Sequence, residues 1–225
     1  MDTRRAGRIA AVLAGVITLA LALAQVLLPR IAASRISSRV GSYGNVESVK
    51  VSAWPAVKLL WGKADSVTVR AGQLKLSPAQ TAQLLWEARG ASTMDVTAAS
   101  VNEAGLQLRD ASLHKRGRAL SAYARITAAG VRAALPEGVD VQLLSSEHGE
   151  VEVRASGGIF GAKTSLDAVA GASEGKLVAH PLGLLLSGLR LTLFDDPRVY
   201  VEGVGASAET GQPPGYLLTI SASVR

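Results

Sequence analysis

YLLTISASV, residues 216–224, shows a pattern that most of the chain repeats. Apolar residues occupy every second position, at Leu218, Ile220, Ala222 and Val224. Thr and Ser fill the positions between them, so one face of an extended segment is apolar and the other is polar. This alternation is typical of a strand in an antiparallel sheet that has one buried and one solvated face.

The same period of two recurs in twelve further short segments separated by turns such as Gly62-Lys63 and Ala71-Gly72. The segments are 49–53, 67–71, 74–76, 96–98, 106–108, 120–126, 139–144, 151–155, 164–169, 177–179, 189–193 and 199–204. Because these segments alternate rather than form continuous apolar runs, we expect a mostly antiparallel sheet.

Three helices are predicted between the strands. The first is amphipathic, with Leu28, Ala32, Ile36 and Val40 at intervals of four, and ends near Gly41. The second begins at Ser77-Pro78-Ala79-Gln80, a capping box with proline at the first helical position, and runs to about Arg89. The third spans 128–135, with Thr127 as its cap and Pro136 and Gly138 as its end.

Together these elements predict an α+β fold in which a long, curved, mostly antiparallel sheet wraps around two or three helices. The interior could be closely packed or could enclose an elongated apolar cavity, and periodicity does not separate the two. Small residues at inward positions favour the cavity: Ala53, Ala71, Ala98, Ala122, Ala124, Ala155 and Ala222.

A membrane-directed segment precedes the folded part. Residues 9–28, IAAVLAGVITLALALAQVLL, carry no charge and follow Arg4, Arg5 and Arg8, opposed by Asp2. Twenty helical residues span roughly the 30 Å hydrocarbon layer, which suits a retained anchor. Ala22-Leu23-Ala24 also fits a signal-peptidase site, so a cleaved signal is equally compatible. We therefore divide the chain into residues 1–28, signal or anchor, and residues 29–225, one domain outside the cytoplasmic membrane in the cell envelope.

Composition excludes several classes of function. The 225 residues contain no cysteine, which removes disulfides and thiolate chemistry, and aromatic residues make up 4%. A net charge of +6, partly due to the basic amino terminus, is too small and too dispersed for nucleic-acid binding. His114, His148 and His180 lie on separate segments, so neither a metal site nor a bound cofactor is expected.

The sequence contains no convincing catalytic motif, and we expect that the protein is not an enzyme. Residues 171–175, GASEG, match the G-x-S-x-G nucleophile elbow, but an alternating segment closed by Pro181 follows where the elbow requires a helix. A hairpin turn is the preferred interpretation. Asp195-Asp196-Pro197 is similarly interpreted as a turn between strands.

Two tryptophans bracket an apolar, proline-containing segment. Trp54 and Trp61 enclose Pro55 to Leu60, and such a segment either enters a bilayer interface, forms the lip of a lipid cavity, or caps the core. Trp86 lies in the second helix beside Leu84, where it is expected in the core or on the cavity wall.

The order of segments resembles the LmeA family of actinobacterial envelope proteins. The resemblance rests on the export segment and basic helix, the strand 46–53, LWGKADSVTV at 60–69, Ile126-Thr127-Ala128-Ala129, and Val151-Glu152-Val153. It implies a fold similar to the tubular lipid-binding (TULIP) superfamily, in which a curved sheet encloses an apolar groove for acyl chains. It also implies phospholipid binding and a connection with the enzymes that assemble lipoglycan mannan.

The residues themselves favour the same function, since an exported domain with an aliphatic interior and mild positive charge suits a phospholipid and the outer surface of the cytoplasmic membrane. The predicted lipid-binding residues are Val49, Val51, Trp54, Trp61, Leu84, Trp86, Leu106, Leu108, Leu189, Leu191 and Leu218. The predicted head-group ligands are Arg35, Arg39, Lys58 and Lys63. The alternatives are a structural envelope protein with a fully packed core and an enzyme acting on lipid or glycan through Ser173 or Asp196.

Overall fold

The computed structural model describes residues 3–103, 106–135, 137–159, 162–183, 189–210 and 213–225. The predictions made for Asp2 and Pro136 lie outside these residues. In the described part the helices are α1 (Thr3–Gly41), α2 (Pro78–Glu87) and α3 (Ala128–Ala134), with 3₁₀ helices at Ala56–Trp61 and Ala88–Gly90.

Strands make up most of the domain. Their bounds are β1 (Gly44–Ser52), β2 (Ala64–Lys75), β3 (Ala91–Glu103), β4 (Leu106–Arg116), β5 (Ala119–Thr127), β6 (Val139–Glu147), β7 (Glu150–Ile159), β8 (Ala162–Ser173), β9 (Lys176–Pro181), β10 (Leu191–Phe194), β11 (Val199–Glu209) and β12 (Gly215–Val224).

These strands form two sheets. The first has seven strands in the order β1-β2-β3-β4-β5-β12-β11, and the second has five in the order β10-β9-β8-β7-β6. Strands β2 and β3 are parallel, and α2 forms the crossover connection between them. The other pairs of neighbouring strands among the described residues are antiparallel. The α+β class and the mostly antiparallel pairing are confirmed, but two sheets replace the one long sheet that we expected.

The second sheet packs against the first through the turns of its hairpins. The amide of Val204 on β11 donates to the Gly149 carbonyl, and that of Val201 donates to the Gly175 carbonyl, both at 2.9 Å. These two glycines sit in hairpin turns and have positive φ angles of 81°. The turns therefore occupy backbone donors on the edge strand β11, which would otherwise be open to another strand.

Helix α1 is continuous from Thr3 to Gly41 through Pro29, and at 1.5 Å per residue its 39 residues extend about 58 Å. Its second half packs against β1 and the 3₁₀ helix Ala56–Trp61. By length and composition, Ala20–Gly41 could cross a membrane, and none of its apolar window is buried. Such a helix near the amino terminus is compatible with either a signal sequence or an anchor.

The predicted helix caps are confirmed. Ser77 Oγ accepts from the Gln80 amide at 3.3 Å, and the Gln80 side chain accepts from the Ser77 amide at 2.8 Å. Thr127 likewise caps α3 by accepting from the Gly130 amide at 3.0 Å. Local sequence determines these caps because donor and acceptor lie within three residues of each other.

Two parts of the first sheet depart from the simple alternation of apolar and polar residues that the sequence predicts. The predicted turn at Ala71-Gly72 is wrong, because β2 runs on to Lys75 and β1 absorbs the irregularity through register shifts between Gly44 and Ser48. In β4, Asp110 has a φ of 47° at a bulge. The bulge adds one residue, so that both Leu108 and Leu113 face the same side of the sheet.

An ion pair connects α2 to the far edge of the first sheet. Arg198, the residue before β11, binds Asp196 at 2.6 Å, and its guanidinium also donates to the Gln83 side chain on α2. The Arg198 hydrogen bond holds the pKa of Asp196 below its usual range, and Asp196 is 9% exposed. The Asp195-Asp196-Pro197 segment is thus the predicted turn between strands, and it also positions α2.

Replacing Asp196 with Asn should lower the melting temperature by roughly 3–8 °C at neutral pH, because Arg198 loses its anionic partner. Since the folded-state pKa of Asp196 is depressed, its contribution exists above the unfolded pKa of about 3.9 and disappears as the pH falls through the folded pKa. Thermal unfolding of the full chain in detergent at pH 7 and below pH 4 measures both effects. Asp140→Asn, which breaks the exposed pair with Arg132, is the matched control and should change little.

Replacing Gly175 with Ala should destabilise the fold by about 2–4 kcal/mol, because the residue has a positive φ and an added Cβ would overlap the Tyr200 ring. Gly138 has a nearly identical φ of 80°, and a Cβ added there would meet no atom within 4 Å. Gly138→Ala therefore isolates the backbone cost of about 1 kcal/mol. Equal losses in urea unfolding would contradict a tight contact between the hairpin turn and Tyr200.

Candidate functional site

A cavity of about 940 Å³ lies between the helices and the inner face of the first sheet. Helix α1 forms one wall through a face that repeats every three or four residues, including Leu28, Ile31, Ala32 and Ile36. Helix α2 and the 3₁₀ segment contribute further apolar groups, among them Leu84, Leu85, Leu59 and Leu60. The cavity walls are therefore largely aliphatic.

Short side chains on the floor of the sheet explain why this space is not filled. Ala98, Ala111, Ala122 and Ala124 line the cavity from the neighbouring strands β3, β4 and β5. A residue of this size projects too little to reach a helix packed about 10 Å above the sheet. Sequence periodicity left open whether the interior was packed or hollow, and three of the small residues that favoured a cavity do line it.

A cluster of buried residues, several of which also line the cavity, holds α2 in place. Ala82 is 0% exposed, and Leu85 packs with Val67, Val69 and Met94 from the sheet. Lys115 holds the 3₁₀ helix that follows α2, because its ammonium donates to the carbonyls of Arg89 and Ala91. A cation near the carboxyl end of a helix can satisfy carbonyl groups that the helix leaves without a partner.

Lys115 is a feature that the sequence interpretation missed. It is 1% exposed, and burial lowers the pKa of its ammonium. Continuing the alternation from Leu113 would have placed Lys115 on the inward face, and this pattern was the available signal. Its role in the structure is to hold the chain around Arg89 above the sheet.

Polar groups gather on one side of the cavity. Arg39 on α1 pairs with Glu87 on α2 at 2.7 Å, and the Gln83 side chain donates to the same carboxylate at 2.8 Å. These contacts, the Gln83 hydrogen bond first, hold the pKa of Glu87 below its usual range. Arg35 lies one turn earlier on α1, lines the cavity, and has no acidic partner among the described residues.

The structure brings together only part of the predicted site. Val51, Leu84, Leu108 and Leu218 line the cavity, as do Arg35 and Arg39. Val49 and Trp86 instead pack against the core beside it, with Arg89 stacked 4.2 Å from the Trp86 ring.

The remaining predicted residues lie away from the cavity wall. Leu189 and Leu191 are 59% and 63% exposed. Leu191 begins β10 of the second sheet and Leu189 lies just before that strand, and the period of two does not reveal to which sheet a strand belongs. Leu106 is partly exposed at the start of β4, and Lys63 is exposed. Lys58 pairs with Asp65 at 3.3 Å, whereas Trp54 and Trp61 point into solvent.

The remaining motifs have structural explanations. Ser173 ends β8, Glu174 and Gly175 form a tight turn, and Lys176 begins β9, so GASEG is a hairpin turn as expected. His114 pairs with Asp95 at 2.7 Å on the sheet surface. Among the described residues, no group of three or more acidic or histidine side chains could hold a metal ion.

Comparisons of the chain with protein-family models, with curated proteins and with solved structures find no significant match. The interpretation of the cavity therefore depends on its own geometry and chemistry.

Replacing Ala122 with Leu should stabilise the lipid-free protein by about 1–2 kcal/mol, because the added carbons enter open apolar space. Ala82→Leu makes the same chemical change at a fully buried core position outside the cavity wall and should cost about 1–3 kcal/mol. Urea unfolding of delipidated protein measures both variants. A loss of stability for Ala122→Leu equal to that for Ala82→Leu would contradict the existence of the cavity.

Proposed function

We propose that this chain is an exported phospholipid-binding protein of the cell envelope, which holds acyl chains in the cavity between α1, α2 and the first sheet. The observation that carries the proposal is an aliphatic cavity of about 940 Å³. Ligand pockets in proteins commonly enclose about 300–1,000 Å³, so the volume suits a ligand with long chains.

The chemistry of the cavity walls supports an apolar occupant. The cavity opens to solvent, so water contacts its aliphatic walls when no ligand is bound. Each methylene that moves from water into this apolar space contributes about 0.8 kcal/mol, so acyl chains would supply affinity without specific polar contacts.

The polar side of the cavity suits a phosphate group. Arg39 is already paired with Glu87, which leaves the Arg35 guanidinium as a cation at the cavity wall without an acidic partner among the described residues. A guanidinium can bind a phosphate through two parallel hydrogen bonds. We therefore assign the head group to Arg35, with Arg39 in a secondary role.

The location follows from α1, whose apolar first half would anchor the domain outside the cytoplasmic membrane or direct its export. We also propose that the chain is related to the LmeA family, which it resembles in segment order. Its sheet, helices and apolar groove would then correspond to the TULIP arrangement. Under that resemblance the protein would support enzymes that assemble envelope lipoglycans. The packed structural protein is the alternative, and the unfilled volume disfavours it.

Lipid binding is tested by transferring the detergent-purified full chain to lipid-free micelles and titrating it with a fluorescent phosphatidylglycerol. Saturable binding near one lipid per chain is expected, and solvent extraction of the protein before delipidation should recover phospholipid. The double variant Ala122→Leu/Ala124→Leu fills the cavity and should lose this binding while keeping α1. Binding that is absent, or that is identical in the filled variant, would contradict the proposal.

Arg35→Gln should weaken binding of the anionic lipid by about three- to tenfold, because a charge-assisted contact to the phosphate is lost. Arg30→Gln removes an exposed arginine from the same helix outside the cavity wall and is the matched control. Equal weakening by both substitutions would indicate general attraction to anionic lipid and would contradict the head-group assignment.

A further inference from the structure

Three large apolar side chains project from one short loop, which comprises residues 54–61 and is called here the tryptophan loop. Trp54 is 72% exposed, Leu60 is 66% exposed and Trp61 is 70% exposed. Soluble domains seldom expose several large apolar side chains close together on the surface. A cluster of this kind marks a surface that contacts something apolar.

The exposure does not result from a loosely held loop. Gln25 on α1 accepts from the Ala56 amide at 2.8 Å and donates to the Ala53 carbonyl at 3.1 Å. Asp65 on β2 accepts from the Trp54 amide at 2.5 Å and from the Lys58 ammonium at 3.3 Å. The backbone is therefore held from both sides, whereas the indole rings are directed outward.

The contact with Gln25 sets the level of the tryptophan loop along α1. Gln25 lies within the uncharged segment 9–28, three residues, or about 5 Å, from its end. The neighbouring Leu23, Val26 and Leu27 are each about half exposed, so this part of the helix also presents apolar surface beside the loop. Arg30, the first charged residue after the segment, is exposed.

We propose that the tryptophan loop docks into a phospholipid bilayer beside α1, with the indoles of Trp54 and Trp61 at the level of the head groups and Leu60 among the acyl chains. If residues 9–28 span the hydrocarbon layer, their carboxyl end emerges at the bilayer surface and carries the loop to that depth. Indole rings are enriched at this level because they combine an apolar body with a polar N–H. The exposed Arg30 and Lys63 flank the site and complement anionic head groups.

Docking would also orient the cavity. Leu59, Leu60 and Gly62 line it from the same segment that carries the tryptophans. The cavity would therefore open beside the bilayer surface, and a lipid could move between them without crossing water. Docking itself does not require that the cavity hold a lipid.

The test uses the full chain in phospholipid nanodiscs that contain a phosphatidylcholine brominated near the glycerol end of one acyl chain, which is the part of the chain closest to the head groups. Variants with a single tryptophan are made by changing the other two to Phe. Single Trp54 and single Trp61 should each lose about half of their emission relative to unbrominated nanodiscs and should resist quenching by iodide. The control variant carries Leu144→Trp and no other tryptophan. Leu144 lies in the second sheet, which packs against β11, whereas β1 forms the opposite edge of the first sheet. It should be quenched by iodide and not by bromine.

The measurement is repeated in the variant Ala122→Leu/Ala124→Leu, in which the cavity is filled. If bromine still quenches the tryptophans in this variant, the result supports docking, even if the cavity is found not to bind lipid. If the quenching disappears, the signal came from lipid in the cavity, and the docking proposal is overturned. Gln25→Ala frees the loop from α1 and should reduce the quenching of both tryptophans. If Trp54 and Trp61 match the Leu144→Trp control in iodide and bromine quenching, the loop does not contact the bilayer.

Discussion

The apolar inner face of the first sheet must be removed from water, and the two helices that cover it cannot fill the space above it. Alanines at 98, 111, 122 and 124 form much of the floor, and the residues of α1 and α2 form the opposite wall. Larger side chains such as Val67 and Met94 also line the cavity, and Leu85 packs against them from α2. The alanines on the floor leave space that these side chains do not fill. A hydrophobic molecule can complete this core in a way that the chain does not.

Helix α1 carries two different kinds of surface on one continuous helix. Its first half carries the uncharged segment, whereas its second half carries both the cavity wall and Arg35. Because the helix continues through Pro29, the orientation of the domain relative to α1 is determined by the helix and by the Gln25 contacts rather than by a flexible linker. Retention or cleavage of the first half would therefore distinguish a protein held at the bilayer from a mobile carrier.

The second sheet has a different role. Its hairpin turns at Gly149 and Gly175 occupy backbone donors of β11, and the adjacent Arg198 links that edge to α2. The apolar residues of β10 contribute nothing to the cavity wall. This division explains why Leu189 and Leu191, which have the same alternation as the cavity-lining strands, are exposed.

Local sequence alone determined most of the strands, the caps at Ser77 and Thr127, the hairpin turn at GASEG and the continuous basic helix after the apolar segment. Each depends on residues within a few positions of one another or on a repeated period. Tertiary structure decided which strands share a sheet, that β2 and β3 are parallel, and that Lys115 binds the 3₁₀ helix after α2. It also decided that Leu108 and Leu218 meet at one cavity while Leu191 does not. These outcomes depend on packing between residues that are far apart in the chain. Alternation along a strand indicates which face of the sheet a side chain occupies, but it does not indicate which element packs against that face.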